Sequence, residues 1–565
     1  MKALAAALLM ASWLAAQAPA PAPAISSNAA SELRPLIERY SADRDSLNRV
    51  YSIRFSETRR ARFDRFYAEQ QDALNKINFD ILSHDGRVDY ILFRNLLDRQ
   101  RRQIRLDAAR DRDIEQLLPF GKTIIDLEEA RKRMDTVDPR KTADSVAAML
   151  KPIEDGRKAA EGVAKPKTLL ASRAAERLHE FRRIIKGWFE FYNGYDPNFT
   201  WWMADPYKRV DAGLEAFAKA IQPLENSTVV GSPAGRDALI SDLNYNLIPY
   251  APEELIELAR KELAWCEQEM IRASRDMGLG DNWHAALEKV KNDFVEPGKQ
   301  PDLVRRLARE AVDYVTQRDL VTVPALARED WWQEMLTPEQ QRSAPFFLGG
   351  YIIELAFPTN TMTQEQKLMS MRGNNVHFAR ATVLHELIPG HHLQFFMAAR
   401  SRAYRRPFAT PFWTEGNAFY WELLLWDQGF AKTPEDRIGM LFWHMHRAAR
   451  IIFSLSFHLG KMSEQESIDF LVNRVGFERD NATAEVRRSF DGSYPPIYQS
   501  AYMLGALQFK ALHKELVESG KMTDRAFHDA ILEQNSIPVE LIRASLIKQP
   551  LIRDFKTSWR FWESR

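Results

Sequence analysis

The sequence predicts a mainly α-helical protein with a small β-sheet just upstream of a cluster of histidines. Long charged stretches carry apolar residues three or four positions apart, as at Leu74 and Ile77, which places them on one face of a helix. Only residues 320–324 and 346–357 have the branched and aromatic composition of strands. The histidine cluster, residues 385–392, follows the second of these strands within a largely apolar, helix-like run.

Composition restricts the classes of function. The chain has 565 residues, of which 45% are hydrophobic and 27% are charged, as in an ordinary globular protein. Its net charge of +1 gives no support for a nucleic-acid partner or a polybasic membrane surface. Cys266 is the only cysteine, so no intramolecular disulfide can form, and its helical context predicts a small buried packing residue.

The N-terminus has the pattern of a secretory signal peptide. Lys2 precedes an Ala/Leu-rich run over residues 3–16, which is too short to span a bilayer comfortably. Cleavage after Ala18 or after Ala24 would fit the small-residue rule, and an uncleaved anchor is the alternative. We therefore expect residues 1–24 to be a signal peptide and Pro/Ala leader. The mature chain is predicted to be periplasmic or secreted, without stable membrane insertion.

Two regions are predicted after this leader. Residues 25–230 form an N-terminal helical region and residues 231–565 a catalytic region, with a turn-rich segment near 226–235 between them. The aromatic stretch 188–202 is too interrupted by Pro, Gly and Asn for one helix. It is interpreted as a buried aromatic crossover or, alternatively, as the aromatic wall of a substrate channel.

Helix and strand signals continue through the second region. Pro252 followed by acidic residues begins a helix that can extend to Asp276, and residues 303–318 form another. The short strand 320–324 ends at a proline. In the strand 346–357, two consecutive glycines suggest a bulge or a close backbone approach.

Residues 385–392 read His-Glu-Leu-Ile-Pro-Gly-His-His. Phe378, Ala381 and Leu384 form an apolar stripe that directs His385 into the interior. Zinc hydrolases bind the metal with neutral imidazoles and use a neighbouring Glu to handle the proton of the attacking water. Their common H-E-x-x-H helix works because residues four apart share a face, whereas here the second histidine follows six residues after the first.

The six-residue spacing requires a deformed helix. On an ideal helix two such imidazoles differ by roughly 120° around the axis and about 9 Å along it, too far to share zinc at about 2.1 Å. Pro389 removes a backbone donor and Gly390 permits unusual dihedral angles. A kink or π-type bulge could bring His391 to the metal; His392 is the alternative ligand.

A third protein ligand is expected from a later helix. Thr410 as cap and Pro411 in the first turn begin a helix that Gly429 ends. Glu415 and Glu422 share one apolar face of it, where carboxylates are costly to bury unless a charged partner or a metal compensates. We predict one Zn²⁺ per chain with Glu415 as third ligand, supported by Glu422.

These residues resemble the bacterial domain-of-unknown-function 885 family, grouped with the gluzincin metallopeptidases. Its H-E-x-x-P-G-H pattern is present at residues 385–391 and its E-G-x-A-x-Y-x-E pattern at 415–422. Residues 450–458 resemble R-x-x-x-D-x-G-x-H, with serine at the Asp and Gly positions. Residues 496–505 resemble P-G-Q-A-x-x-Y-K-x-G, with other residues at the Gly-Gln-Ala and Lys positions. The recurring histidine after Pro-Gly favours His391 over His392.

The resemblance implies a zincin-like metallopeptidase with a cleft between two helical halves and a small β-sheet beside the metal-binding helix. The strand from Gly349 to Phe357 is the candidate for aligning the substrate backbone. We expect Glu386 to act as general base. Candidate donors to the oxyanion are Tyr502, His458 and Arg450, in that order; Arg450 could instead bind a substrate carboxylate or pair with an acid.

The expected function is zinc-dependent hydrolysis of peptide bonds, with a peptide or small amide as substrate. One alternative is hydrolysis of a non-peptide amide, such as a modified amino acid or a cell-wall fragment. Another is a non-catalytic periplasmic peptide-binding protein with a structural metal site. Glu386 argues against the last, because a structural site needs no base.

Overall fold

A computed structural model describes residues 31–162, 169–221, 231–341 and 344–562. The predicted signal peptide and leader (residues 1–24) and the predicted region boundary at residue 230 lie outside the described residues. The mainly helical architecture with a small sheet is confirmed. No helix in the described ranges has both the length and the apolar character needed to cross a membrane.

The first half of the chain is helical. Its α-helices are α1 Arg34–Val50, α2 Glu57–Asn75, α3 His84–Leu117, α4 Gly121–Lys132, α5 Pro139–Ala148, α6 Leu150–Gly162, α7 Leu169–Tyr192, α8 Pro197–Ile221, α9 Arg236–Tyr245, α10 Pro252–Asp276, α11 Trp283–Lys291 and α12 Gln300–Gln317. The predicted helix from Pro252 to Asp276 is thus confirmed with the same bounds.

The second half contains both strands and the remaining helices. The strands are β1 Trp332–Met335 and β2 Ile352–Leu355. The α-helices are α13 Pro338–Gln341, α14 Gln364–Gly373, α15 Val376–Glu386, α16 His391–Ala398, α17 Pro411–Asp427, α18 Pro434–His458, α19 Glu464–Phe470, α20 Arg479–Phe490, α21 Tyr498–His513, α22 Asp524–Glu533 and α23 Val539–Ile547. Short 3-10 helices span Phe79–Ile81, Leu326–Arg328 and Ala403–Phe408, and π-helical turns span Leu471–Val475 and Lys514–Glu518.

The sheet differs from the predicted one. β1 and β2 pair in parallel, with Trp332 opposite Ile352. The prediction of a strand at residues 320–324 is wrong, because those residues form a loop. Their apolar side chains pack in the core, and Thr322 bonds the side chain of Asp529 through both its N–H and its hydroxyl. A side chain therefore satisfies the backbone group that a neighbouring strand would otherwise bond.

The second predicted strand is shorter than expected. Only β2 is regular strand, and the chain folds back before it so that Leu348 and Glu354 form an isolated antiparallel bridge. The two glycines at 349 and 350 lie within this turn, in agreement with the close backbone approach expected there.

Buried apolar side chains form separate clusters. The main cluster extends from Leu33 to Trp562 and includes the site-bearing helices, whereas a second one lies within residues 53–221. Helix α3 contributes to both, and its Asp89 forms a fully buried ion pair of 2.8 Å with Arg405. In the aromatic stretch, Trp188 is buried in the second cluster but Trp201 is 82% exposed. The predicted crossover is thus only partly buried.

A close helix crossing organises the site. Helices α17 and α21 meet at Gly416 and Gly505, where a Cβ on Gly505 would lie 2.0 Å from the carbonyl oxygen of Phe412. Thr410 caps α17 by accepting from the Phe412 N–H, and Pro411 occupies its first turn, as predicted. The contact between the backbones brings Glu415 beside the start of α21.

Candidate metal centre

The histidine motif lies at a break between two helices. Helix α15 ends at Glu386 and α16 begins at His391, so the expected kink or bulge is a complete interruption of the helix. The intervening turn contains a cis peptide bond between Ile388 and Pro389. The ring centroids of His385 and His391 are 4.8 Å apart, about half the axial separation that a straight helix would impose.

The break requires glycine at position 390. A Cβ on Gly390 would lie 1.8 Å from the carbonyl oxygen of His385 and 2.6 Å from that of Leu384. Both oxygens belong to backbone that cannot move aside without disturbing α15. Gly390 therefore permits the close passage of the turn that returns His391 to His385.

A carboxylate oxygen of Glu415 lies close to one ring nitrogen of each of the two histidines. Glu415 Oε2 lies 3.5 Å from His385 Nε2 and 3.2 Å from His391 Nε2. Ligand bonds of about 2.1 Å around a tetrahedral zinc ion would separate ligand atoms by about 3.4 Å. Two imidazoles and one carboxylate form a donor set that can hold a metal ion, and the two distances from Glu415 Oε2 are compatible with such a site.

Glu386 is the second carboxylate near the histidines. Potential ligand atoms of His385, Glu386 and His391 all lie within 4.8 Å of one another. Glu386 Oε2 is 4.0 Å from His391 Nε2, farther than Glu415 Oε2. Glu415 is thus better placed to bind a metal directly, and Glu386 is better placed to contact a water beside it. All four residues are buried.

The Nδ1 atom of each of the two candidate ligand histidines is held by a neighbour. His385 Nδ1 is 2.8 Å from Glu422 Oε1, and His391 Nδ1 is 3.2 Å from Gln394 Oε1. Gln394 is itself oriented by a 2.9 Å hydrogen bond from its amide nitrogen to Asn417. Such contacts fix the tautomer of metal-binding histidines, and here they leave both Nε2 atoms available to a metal.

Burial and neighbouring charges shift the pKa values of His391 and Glu415 in opposite directions. Burial raises the pKa of the Glu386 carboxyl above its ordinary value. Burial lowers the pKa of His391, but the adjacent Glu415 carboxylate outweighs it and raises that pKa to about 9. Burial also opposes ionisation of Glu415, whereas His391 and His385 hold its pKa well below its usual range. A raised pKa suits Glu386 to accept a proton near neutral pH.

His392 is directed away from this cluster. Its Nδ1 lies 3.2 Å from the carbonyl oxygen of Gly350, and its Nε2 lies 2.8 Å from that of Ala327. Both ring nitrogens are therefore occupied by backbone groups. The structure brings His391, and not His392, beside His385.

The backbone near Gly349 packs against Glu386. A Cβ on Gly349 would lie 2.4 Å from Glu386 Cβ and 2.6 Å from Glu386 Oε2. The candidate substrate-aligning segment therefore reaches the centre at its first residue, three residues before the regular strand β2 begins.

The candidate oxyanion donors lie in different places. The ring of Tyr502 is stacked 6.1 Å from that of His385, and its hydroxyl has no hydrogen-bond partner within the described ranges. Arg450 donates from Nε to Glu485 at 2.7 Å, which is the structural pairing with an acid considered from the sequence. Its guanidinium also lies over the Tyr502 ring, 4.2 Å from the centroid.

His458 is remote from the candidate metal ligands. It lies eight residues after Arg450 on α18, about 12 Å farther along the helix. Its Nδ1 accepts from the Ala234 N–H at 3.4 Å, and its ring packs against Phe490. The structure therefore does not bring His458 to the cluster.

Sequence reasoning missed several residues around the centre. The hydroxyl of Tyr498 donates to Glu415 Oε1, and Arg447 Nη2 lies 3.6 Å from Glu422 Oε1. The available signal was helical spacing, since Tyr498 precedes Tyr502 by four residues and Gln394 follows His391 by three. Only the packing of α17, α18 and α21 identifies which of these neighbours face the centre.

Comparisons with known proteins identify a family and a shared fold. A family described as bacterial proteins of unknown function, DUF885, matches residues 45–546. A candidate lipoprotein of unknown function from Shewanella oneidensis is similar in structure, with a TM-score of 0.66 and 18% identity, covering 92% of this chain and 100% of that one. A candidate lipoprotein from Colwellia psychrerythraea has a TM-score of 0.56 and 15% identity, covering 87% and 91%. No curated protein matches the sequence.

Proposed function

The chain belongs to the DUF885 family of bacterial proteins, and we propose that it is a zinc-dependent hydrolase of peptide bonds with a zincin-like, gluzincin-type active site. One observation carries the proposal: Glu415 Oε2 lies 3.5 and 3.2 Å from the two histidine Nε2 atoms, with the buried Glu386 carboxylate beside them. A metal-binding triad next to a carboxylate of raised pKa is the arrangement that water-activating hydrolysis needs.

His385, His391 and Glu415 would hold one zinc ion in each chain. When bound, the ion would polarise the scissile carbonyl and lower the pKa of a water molecule. Glu386 accepts the proton of that water as its oxygen attacks the carbonyl carbon. The same carboxyl then delivers the proton to the amide nitrogen, the C–N bond breaks, and the amine leaves with Glu386 again ionised.

Tyr502 is the proposed donor to the developing oxyanion. Its ring lies beside His385, and its hydroxyl makes no competing hydrogen bond with a described residue. The neighbouring Tyr498 instead uses its hydroxyl to hold Glu415. The two tyrosines therefore have different proposed roles: Tyr498 orients the ligand Glu415, and Tyr502 stabilises negative charge on the substrate.

Export is part of the proposal. Residues 1–24 carry the pattern of a signal peptide, and the similar solved structures come from candidate lipoproteins. We infer that the protein acts on its substrate in the periplasm or outside the cell. A reporter that is active only after export, fused after residue 24, should be active; an inactive but stable fusion would contradict export.

A cleavage assay tests the hydrolase directly. The zinc-loaded protein is incubated with a mixed peptide library, and products are identified by mass spectrometry alongside the Glu386→Gln variant. We expect peptide cleavage by the wild type and a loss of about 10²–10⁴-fold in the variant, with its zinc content unchanged. Equal rates would remove Glu386 as the base.

Further outcomes of this experiment separate the rival functions. Cleavage of modified amino acids or cell-wall fragments, but of no peptide, would favour hydrolysis of a non-peptide amide. Tight peptide binding without turnover would favour a binding protein with a structural metal. A Glu415→Ala variant with unchanged zinc content would eliminate Glu415 as a ligand.

A further inference from the structure

Three buried arginines lie behind the candidate metal centre. Arg447, Arg450 and Arg488, together called the arginine cluster, are only 6%, 3% and 9% exposed. The guanidinium carbons of Arg447 and Arg450 lie 4.7 and 4.2 Å from the centroid of the Tyr502 ring. That ring is 6.1 Å from His385, so the cluster is separated from the metal ligands by one aromatic side chain.

The arginine cluster is rich in hydrogen-bond donors that have no acceptor. Arg447 Nε, Arg450 Nη1 and Arg488 Nε are buried and lack any hydrogen-bond partner among residues that the structure describes. Leaving a charged donor unpaired in the interior costs more than leaving a neutral one. Arg488 interacts with Arg450, Glu485 and Tyr502, so the three donors are neighbours and are expected to be compensated by a ligand.

The local charge also leaves an excess of one positive charge. Glu485 pairs with Arg450 at 2.7 Å, and Glu422 lies 3.6 Å from Arg447. His446, which contacts Glu485 at 3.5 Å, is neutral because burial lowers its pKa to about 3. Three guanidinium groups thus face two carboxylates.

The carboxylates of the metal centre do not remove this excess. Glu415 also faces Arg447, but Glu415 and Glu386 would together balance the two charges of a divalent cation held at the centre. Burial, followed by repulsion from Arg450, lowers the pKa of Arg447 from its usual value. The positive charge of Arg447 is thus destabilised where it lies, and a nearby anion would stabilise it. The cluster therefore has the charge and the free donors to accept an anion.

A carboxylate is the anion that best fits this position. The planar guanidinium fork binds carboxylates through paired hydrogen bonds, and each peptide with an unmodified end carries one at its C-terminus. An extended residue spans only about 3.5 Å. A carboxylate held by the cluster would therefore lie one or two residues beyond an amide bond at the metal centre.

We propose that the substrate carries a free carboxylate beside the scissile bond, that the arginine cluster binds it, and that the enzyme removes residues from the C-terminal end of peptides. This inference rests on the proposed peptide hydrolysis, because it names the end of the peptide on which that site acts. Arg488 is the best arginine to mutate, since its side chain donates a hydrogen bond only to the Tyr494 hydroxyl among the described residues.

A binding experiment tests the carboxylate site apart from catalysis. The zinc-loaded Glu386→Gln protein is titrated calorimetrically with two peptides that differ only in a C-terminal carboxylate or carboxamide. We expect the carboxylate peptide to bind about 10-fold to 100-fold more tightly, as for a charge-assisted bidentate contact. Equal affinities, or no binding of either peptide, would overturn the proposal.

Arginine variants localise the effect. Adding Arg488→Gln should remove most of the preference for the carboxylate while leaving the affinity for the carboxamide unchanged, which a merely structural role would not do. Arg479→Gln, on the exposed side of the same helix and paired with Asp469, is the matched control and should preserve the preference. Retained preference in Arg488→Gln would exclude Arg488; if that variant misfolds, the comparison of the two peptides still decides the proposal.

Cleavage products distinguish failure of this inference from failure of the proposed function. Release of C-terminal residues from free peptides, with amidated peptides resistant, supports both. Equal cleavage of both peptides at internal bonds would overturn the carboxylate site and leave the hydrolase intact. A carboxylate preference in binding without cleavage of any peptide would support the site and contradict the hydrolase.

Discussion

The carbonyl oxygen of His385 occupies the position in which a side chain at Gly390 would begin, since a Cβ there would lie 1.8 Å away. This contact joins the end of α15 to the turn before α16. It allows two histidines six residues apart to face each other with ring centroids separated by 4.8 Å. The glycine is therefore a geometric requirement of this arrangement of the two histidines.

Gly390→Ala should separate the two histidines. The added methyl group must displace the backbone of His385 or of the turn, which we expect to cost about 1–3 kcal/mol of unfolding free energy and to reduce the zinc content. Urea unfolding and metal analysis measure the two effects. Gly187→Ala, at a helical position with open space around the Cβ, is the control and should gain up to about 1 kcal/mol. Normal zinc content in Gly390→Ala would contradict the geometric role.

Glu422→Gln should weaken zinc binding without removing a ligand. The Glu422 carboxylate lies 2.8 Å from His385 Nδ1. Because loss of such an orienting partner weakens metal affinity, we expect the dissociation constant for zinc to rise by about 10–100-fold. Competition with a chromogenic chelator measures the dissociation constant. Glu365→Gln, at an exposed position in α14, should leave it unchanged. Equal affinities in both variants would show that Glu422 does not support the site.

Tyr502→Phe and Tyr498→Phe should have different consequences. Loss of the Tyr502 hydroxyl should lower kcat by about 10²–10³-fold with zinc retained, because the donor acts on the oxyanion. Loss of the Tyr498 hydroxyl, which holds Glu415, should chiefly weaken zinc affinity. Steady-state kinetics at saturating zinc, together with metal titration, separate these effects. The reverse pattern would exchange the two roles.

His458 should make stability depend on pH. Burial lowers the pKa of its ring to about 4, whereas an unfolded chain has a histidine pKa of about 6.5. Between these values the unfolded state binds the additional proton, so stability is fully present above pH ~6.5 and is lost as the pH falls toward 4. One proton contributes a slope of up to about 1.4 kcal/mol per pH unit.

The His458→Gln variant tests this slope. Its unfolding free energy, measured in urea at pH 7, 6 and 5, should decline less steeply than that of the wild type. His179→Gln, at an exposed position in α7, is the control and should follow the wild-type curve. Parallel curves for wild type and His458→Gln would show that the ring does not remain neutral in the folded protein.

Local signals predicted much of the fold. The helix from Pro252 to Asp276 and the start of α17 at Pro411 followed from caps, first-turn prolines and apolar spacing, which act within a few residues. The strand predicted at residues 320–324 failed because its apolar residues serve the core, and Asp529 satisfies Thr322 from 207 residues away. Composition alone cannot distinguish a buried loop from a buried strand.

The sequence by itself determined the helical class, the requirement for a break at Pro389-Gly390, and the types of residue offered to a metal. Only the tertiary structure decided that Glu415 Oε2 lies 3.2 Å from His391 Nε2 and that His392 points elsewhere. The reason is that these distances depend on how separate helices cross. The crossing at Gly416 and Gly505 permits backbone contact that joins residues far apart in the chain, and no local pattern encodes its angle or depth.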